Sequence, residues 1–141
     1  PTEAEWEFAC RSGTSTSRYY GQTDLLIEEY AWFLNNSETH LWPTATLMPN
    51  DFGLFDMLGN AYDWCLNDQR SNNYPPIGST DVVEDTADTR PLSATSRMAI
   101  RGGGYKQPIT YIRSAHRNYS LPDSADSWRG LRPVRTYQPS P

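Results

Sequence analysis

The side chains most able to do chemistry are concentrated in the stretch Asn50–Asp68, NDFGLFDMLGNAYDWCLND. Asp51, Asp56, Asn60, Asp63 and Asp68 put hard oxygen donors along it, the donor type that a cation such as calcium needs, and Gly59 beside Asn60 marks a turn that could cage an ion. The competing use is structural. Phe52, Leu54, Phe55, Met57, Leu58, Tyr62, Trp64 and Leu66 alternate with those polar groups, as expected of a buried hub whose amides and carboxylates satisfy backbone donors. Elsewhere, the two cysteines, Cys10 and Cys65, read as free buried thiols, with a single disulfide as the alternative. His116 lies between Arg113 and Arg117, and cations on both sides favour its neutral form; it reads as a packed or hydrogen-bonding residue. His40 has no cysteine or histidine near it in sequence, and Ser114 with His116 and an aspartate makes a triad only if geometry brings them together.

The elements that must position these groups are short. Thr2 and Glu5 form a capping box for a helix from Thr2 to Arg11, which Ser12-Gly13 ends. A second short helix is expected from Leu25 to Tyr30, followed by a polar loop from Asn35 to Asn50. Tyr62, Trp64 and Leu66 alternate as a strand, Met98-Ala99-Ile100 resume apolar character, and Tyr111, Arg113 and Ala115 alternate again. Tyr119 to Asp126 reads as a loop and Leu131 to Tyr137 as a last short strand. The stretch from Gln69 to Arg97, with Tyr74, Ile77 and Val82-Val83 as its hydrophobic pulses, reads as a binding loop or a solvated insertion. Gly102-Gly103-Gly104 lacks the lysine and spacing of a phosphate or dinucleotide loop, so these glycines are expected to permit close packing. One α+β domain over residues 1–141 follows, with its core supplied by rings rather than long aliphatic runs.

Charge divides the chain. Fifteen acidic and four basic residues precede Arg97, whereas eight basic and two acidic residues follow from it, so the halves carry −11 and +6. Intramolecular pairing is the simplest use of that asymmetry, with Arg113, Arg117 and Arg132 reaching hub carboxylates such as Asp56. The net charge of −5 and the lack of a compact Lys/Arg block argue against nucleic acid, and no segment reaches transmembrane length. Nothing in the composition marks a compartment. The chain opens on a helix without a methionine, which leads to the expectation that upstream sequence has been removed.

Five stretches in order carry a resemblance: Pro1 to Ala9 (PTEAEWEFA), Asn50 with Phe52 to Asn60 (FGLFDMLGN), Arg101-Gly102-Gly103, Arg113 to Arg117 (RSAHR) and Gly130 to Arg135 (GLRPVR). Together they resemble the formylglycine-generating-enzyme, or sulfatase-modifying-factor, family, and in particular its non-catalytic bacterial members. The resemblance implies an irregular C-type-lectin-like fold with two short helices, a small twisted antiparallel sheet and long loops. It also implies that the family's amino-terminal portion is missing, so that a protein partner, a second fragment or a second copy covers the face it leaves.

Catalytic members use copper and dioxygen, with a cysteine pair just after the Gly-Gly turn, to oxidise a sulfatase cysteine. Here that segment reads Tyr105 to Ile112 (YKQPITYI) without a cysteine, so no copper is expected. Cys10 matches a family cysteine that can be disulfide-bonded, but its counterpart is Ser114. The resemblance instead implies a binding surface made of Lys106, Gln107, Ile109, Tyr111, Tyr119, Leu121, Ser124, Asp126 and Trp128. It further implies a structural calcium site at the hub turn, from the backbone oxygens of Leu58, Gly59 and Ala61 with Asn60 and the Asp63 carboxylate. The expected function is a non-catalytic recognition or structural module; a copper oxidase of the formylglycine type is the alternative, disfavoured by the absent cysteine pair.

Overall fold

The computed structural model describes residues 1–69, 91–93, 95–124 and 126–135. Helix α1, Glu3–Arg11, begins as its capping box dictates: Thr2 Oγ1 accepts from the Glu5 amide at 3.2 Å and Glu5 Oε2 accepts from the Thr2 amide at 2.9 Å. Ser12, with φ of 45°, closes it in the left-handed region. Glu3, Trp6 and Cys10 recur every three to four residues and form its buried face. Helix α2 is one turn, Ile27–Tyr30, and inserts Ile27 into the core.

Four strands make one sheet in the order β3-β2-β1-β4: β1 is Tyr62–Asp68, β2 is Met98–Arg101, β3 is Arg117–Ser120 and β4 is Arg129–Gly130. The β1–β2 and β2–β3 pairs are antiparallel, whereas β4 runs parallel to β1 with Tyr62 opposite Arg129 and Asp63 opposite Gly130. The α+β class stands, and the sheet is mixed rather than wholly antiparallel.

Three local expectations change. The alternation from Tyr111 to Ala115 is not a strand: Pro108 opens a 3-10 turn at Ile109–Tyr111, and Ile112 and Ser114 are buried as anchors of the turns that follow. The Ser114 amide donates to Ser17 O at 2.9 Å. The strand starts at Arg117 and takes the first residues of the expected Tyr119–Asp126 loop. The last strand is Arg129–Gly130, ahead of Leu131, which is exposed; Tyr137 lies outside the described residues. Most of the Gln69–Arg97 excursion, including Tyr74, Ile77 and Val82-Val83, also lies outside them.

The hub is half core and half surface. Met57, Leu58, Tyr62 and Cys65 are buried, while Phe52, Phe55 and Leu66 are exposed, because the turns at Gly53 and Gly59 break the alternation into separate faces. The two glycines of the Arg101-Gly102-Gly103 turn are fixed by space. A Cβ on Gly102 would lie 3.0 Å from Met57 O and 3.2 Å from the Trp6 ring, and one on Gly103 would lie 2.6 Å from an Ile112 methyl, at φ of 92° and 80°.

The halves do pair, and Arg132 reaches a hub carboxylate as expected, whereas Arg117 turns to helix α1. Arg101, fully buried, reaches Glu3 at 3.0 Å and Glu7 at 2.5 Å, and Arg117 reaches Glu3 at 2.6 Å, so two of the cations clamp α1 onto β2 and β3. Arg132 pairs with Asp63 at 2.9 Å and donates to the backbone oxygens of Phe55 and Asp56. The Asp56 carboxylate accepts from the Ala45 amide instead, and Arg113 is exposed.

Candidate functional site

The segment after the glycine turn is held by its backbone, which frees some side chains for the surface. Tyr105 is buried and its hydroxyl meets Ser127 Oγ at 3.2 Å; its carbonyl accepts from Ser37 Oγ at 2.9 Å. The Gln107 carbonyl accepts from the Leu34 amide at 3.0 Å and its amide donates to Gly104 O. Lys106 is exposed, its ammonium 5.2 Å from the centre of the Tyr105 ring. Ile109 and Tyr119 turn inward and pack on the core, with the Arg117 guanidinium 5.6 Å above Tyr119. These two expected surface residues therefore serve the fold at least as much as the surface.

Tyr111, Asp126 and Trp128 are assembled around a floor that sequence reasoning did not include. Tyr62, fully buried on β1, meets Trp128 edge to face with ring centres 5.5 Å apart. Its hydroxyl lies 3.3 Å from His116 Nε2. The His116 ring in turn meets Tyr111 edge to face at 4.7 Å. The Arg129 guanidinium sits 4.3 Å from the Trp128 ring centre and 5.6 Å from that of Trp64, and Asp126 secures it at 2.7 Å. Arg129 also donates to the Ser124 carbonyl at 2.9 Å and to the Ser124 hydroxyl. Lys106, Tyr111 and Asp126 are exposed, His116 and Trp128 half-buried, and Tyr62 is buried against His116 and Trp128. The strand alternation of Tyr62 with Trp64 was the one sequence signal for the floor; its meeting with His116, 54 positions away, had none.

Electrostatics set the state of these groups. Burial first, then the charges of Arg113 and Arg101, push the His116 imidazole down to about 4, so it is neutral through the physiological range. Both cysteines are free and buried, and burial pushes each thiol up to about 12. Cys10 Sγ does face Ser114 Oγ, at 3.5 Å. With no metal bound, both therefore stay protonated thiols at neutral pH. Among the described residues no three His, Cys, Asp or Glu side chains gather as a metal site.

At the hub turn, Gly59 and Asn60 take φ of 78° and 58°. The Asn60 side chain clasps Trp42, accepting from its amide and donating to its carbonyl, each at 3.1 Å, and its backbone joins Trp32 O and the Tyr105 amide. Trp42 stacks on Trp32 at 4.4 Å, a pairing the sequence did not suggest. The Asp63 carboxylate is buried and its Oδ2 accepts from Trp6 Nε1 and Arg132 Nε, both at 2.9 Å. The Leu58 to Ala61 backbone lies on the same turn. Both side chains expected at a calcium site are thus engaged by protein donors, and Asp63 already faces a cation.

A second surface feature is a groove of about 600 Å³ between α1, β1 and the carboxy-terminal stretch, lined in part by Pro1, Ala9, Leu66 and Val134 with Arg132 and Arg135 at its rim. Leu66 and Val134 are exposed there; elsewhere on the surface Phe8 and Phe52 are exposed as a pair, their ring centres 5.8 Å apart. No helix among the described residues is long and apolar enough to cross a membrane.

Solved structures share this architecture, three of which follow. Treponema denticola variable protein 1 is 27% identical with a TM-score of 0.70 over 93% of this chain and 45% of its own. PvdO from Pseudomonas aeruginosa is 24% identical with a TM-score of 0.73 over 92% of this chain and 49% of its own. CarF is 22% identical with a TM-score of 0.64 over 96% of this chain and 47% of its own. The chain thus spans just under half the length of each. No functionally curated protein matches it. The fold is the irregular C-type-lectin-like one, and the model of the sulfatase-modifying factor enzyme 1-like domain matches residues 1–137. The chain belongs to the sulfatase-modifying factor enzyme 1-like domain family.

Proposed function

We propose that this domain is a non-catalytic recognition module that presents the rim of Lys106, Tyr111 and Asp126, with Trp128 behind it, to a protein or other ligand. The observation that carries the reading is the way buried groups fix this surface: Tyr62 supports Trp128 and His116, and Asp126 holds Arg129 over the indole. Aromatic side chains that are immobilised before binding lose little entropy on association, and for that reason they dominate binding energy. The likeness to a protein named a variable protein agrees with a recognition role. A copper oxidase would need paired accessible thiolates, which two separate buried thiols do not supply. The test is to incubate the protein with reduced copper, dioxygen and a sulfatase-type cysteine peptide. Peptide recovered with its thiol intact agrees with the reading, and formylglycine in the product would overturn it.

The hub turn, in this reading, is held by Asn60, Asp63, Trp42 and Arg132 rather than by calcium. The partner expected from the sequence, a protein, a second fragment or a second copy, would find an apolar landing at the α1 groove, where Leu66 and Val134 are exposed.

A further inference from the structure

We infer that the stacked indoles of Trp32 and Trp42, with the exposed His40 ring and the Asp56 carboxylate beside them, form a docking surface for an arginine side chain on a basic peptide. The inference goes beyond the recognition reading and does not rest on it, because none of these residues belongs to the Tyr111 surface. Its basis is a contrast among the five tryptophans. Trp6 carries the Arg101 guanidinium 5.1 Å from its ring centre, and Trp128 and Trp64 share that of Arg129 at 4.3 and 5.6 Å. Each guanidinium is also held by a carboxylate, Arg101 by Glu3 at 3.0 Å and Arg129 by Asp126 at 2.7 Å. Trp32 and Trp42 differ: among the described residues no cation lies over either ring.

The two rings are fixed before any partner arrives. They stack with centres 4.4 Å apart and planes 11° from parallel. Trp32 Nε1 donates to Thr46 Oγ1 at 3.0 Å and Trp42 Nε1 to the Ser37 carbonyl at 2.9 Å, while Asn60 clasps the Trp42 backbone. The exposed His40 ring extends the stack, 4.7 Å from Trp42, and Leu41 and Met48 are exposed on the same loop. Indoles immobilised in advance beside exposed aliphatic side chains lose little entropy when a partner covers them.

Charge selects the occupant. From Tyr19 to Gln69 the chain has eight carboxylates and no lysine or arginine. Arg18 takes Asp24 and Arg132 takes Asp63, but Glu28, Glu29, Glu38 and Asp56 have no ion pair among the described residues. Asp56 is the one tied to the stack. Its Oδ2 accepts from the Ala45 amide at 2.9 Å, next to the Thr46 that holds Trp32, and its Oδ1 has no hydrogen bond among the described residues. A guanidinium is planar, so it stacks on a ring and forks onto a carboxylate at once; an ammonium meets the same groups as a point charge. The surface therefore favours arginine over lysine.

The test is a proton–nitrogen NMR titration of the whole chain with N-acetyl-Gly-Arg-Gly-Arg-Gly-amide, repeated with the lysine counterpart and with the neutral glutamine counterpart. Expected are shifts of the Trp32 and Trp42 indole N–H signals, with those of Trp6, Trp64 and Trp128 unmoved, weaker binding of the lysine peptide and none of the glutamine peptide. Asp56→Asn keeps an oxygen for the Ala45 amide and tolerates the φ of 54°, and it is expected to weaken binding about five-fold, the worth of one exposed ion pair. Unmoved Trp32 and Trp42 signals, equal binding of the glutamine peptide, or equal affinity in Asp56→Asn would each overturn the inference and leave the Tyr111 surface standing. Shifts of both indoles on raising the protein concentration without peptide would place a second copy there and overturn the peptide as occupant.

Discussion

Arg101 Nη1 donates to Glu3 Oε2 at 3.0 Å, and neither side chain is more than marginally exposed, so a full ion pair joins the first turn of α1 to the end of β2 inside the protein. The same guanidinium reaches Glu7 and the Ser114 carbonyl, and its plane lies 5.1 Å from the Trp6 ring centre. A buried pair of this kind costs desolvation to form, and removing one partner leaves the other charge stranded. Glu3→Ala, which leaves Arg101 with Glu7 as its carboxylate and removes one partner of Arg117, is expected to destabilise the domain by about 3–5 kcal/mol in urea denaturation. A loss below about 1 kcal/mol, the range of an exposed pair, would contradict the clamp.

This clamp also marks what the sequence could and could not disclose. The opposite charges of the two halves foretold that late arginines would meet early carboxylates, and the capping box at Thr2 and Glu5 foretold where α1 begins, since a cap is a contact across three residues. The choice of Glu3 over Asp56 depended on which face of α1 lies on β2, a relation between residues 98 positions apart. The alternation at Tyr111–Ala115 misled for a related reason. Burial at every second residue was imposed there by the distant partners Ser17 and Cys10 rather than by strand pairing. At the site, the exposed rim was legible as polar and aromatic side chains after a glycine turn. The floor of Tyr62, His116 and Arg129 required the sheet.

His116 gives a pH dependence whose sign follows from its lowered pKa. Below the ordinary value of 6.5 the unfolded chain takes up a proton that the folded ring refuses until about pH 4, so folding stability falls as pH falls through that window. For a half-exposed ring the loss is on the order of 1 kcal/mol after allowing for solvent screening. His116→Asn should flatten this part of the stability profile measured by denaturant titration at successive pH values, with the remaining slope belonging to carboxylates. An unchanged slope would show that the ring ionises equally in both states.

The glycine turn is a steric requirement. Gly103→Ala places a methyl against Ile112 at a φ of 80° that alanine resists, and a destabilisation of about 2–3 kcal/mol is expected. Gly13→Ala, where nothing lies within 4 Å, carries only the backbone penalty of its positive φ and serves as the comparison. Equal melting shifts in the two variants would remove the packing argument.

Calcium is expected to leave thermal stability unchanged, because Asn60 and Asp63 are already satisfied by Trp42, Trp6 and Arg132. Differential scanning fluorimetry in chelator and in millimolar calcium measures this, and a saturable rise in Tm with calcium would restore an ion to the turn. Conversely, Arg132→Ala should lower stability, by about 1–3 kcal/mol, through the buried Asp63 carboxylate that it leaves short of a donor.

The recognition surface is tested most directly by the affinity of a peptide selected against the wild-type domain from a displayed library, measured again on Tyr111→Ala. Tyr111 is 39% exposed at the rim, so its truncation spares the core. About ten-fold or greater weakening for Tyr111→Ala, with Leu131→Ala unchanged, is the predicted result. Equal binding by wild type and Tyr111→Ala would contradict the placement of recognition at this surface.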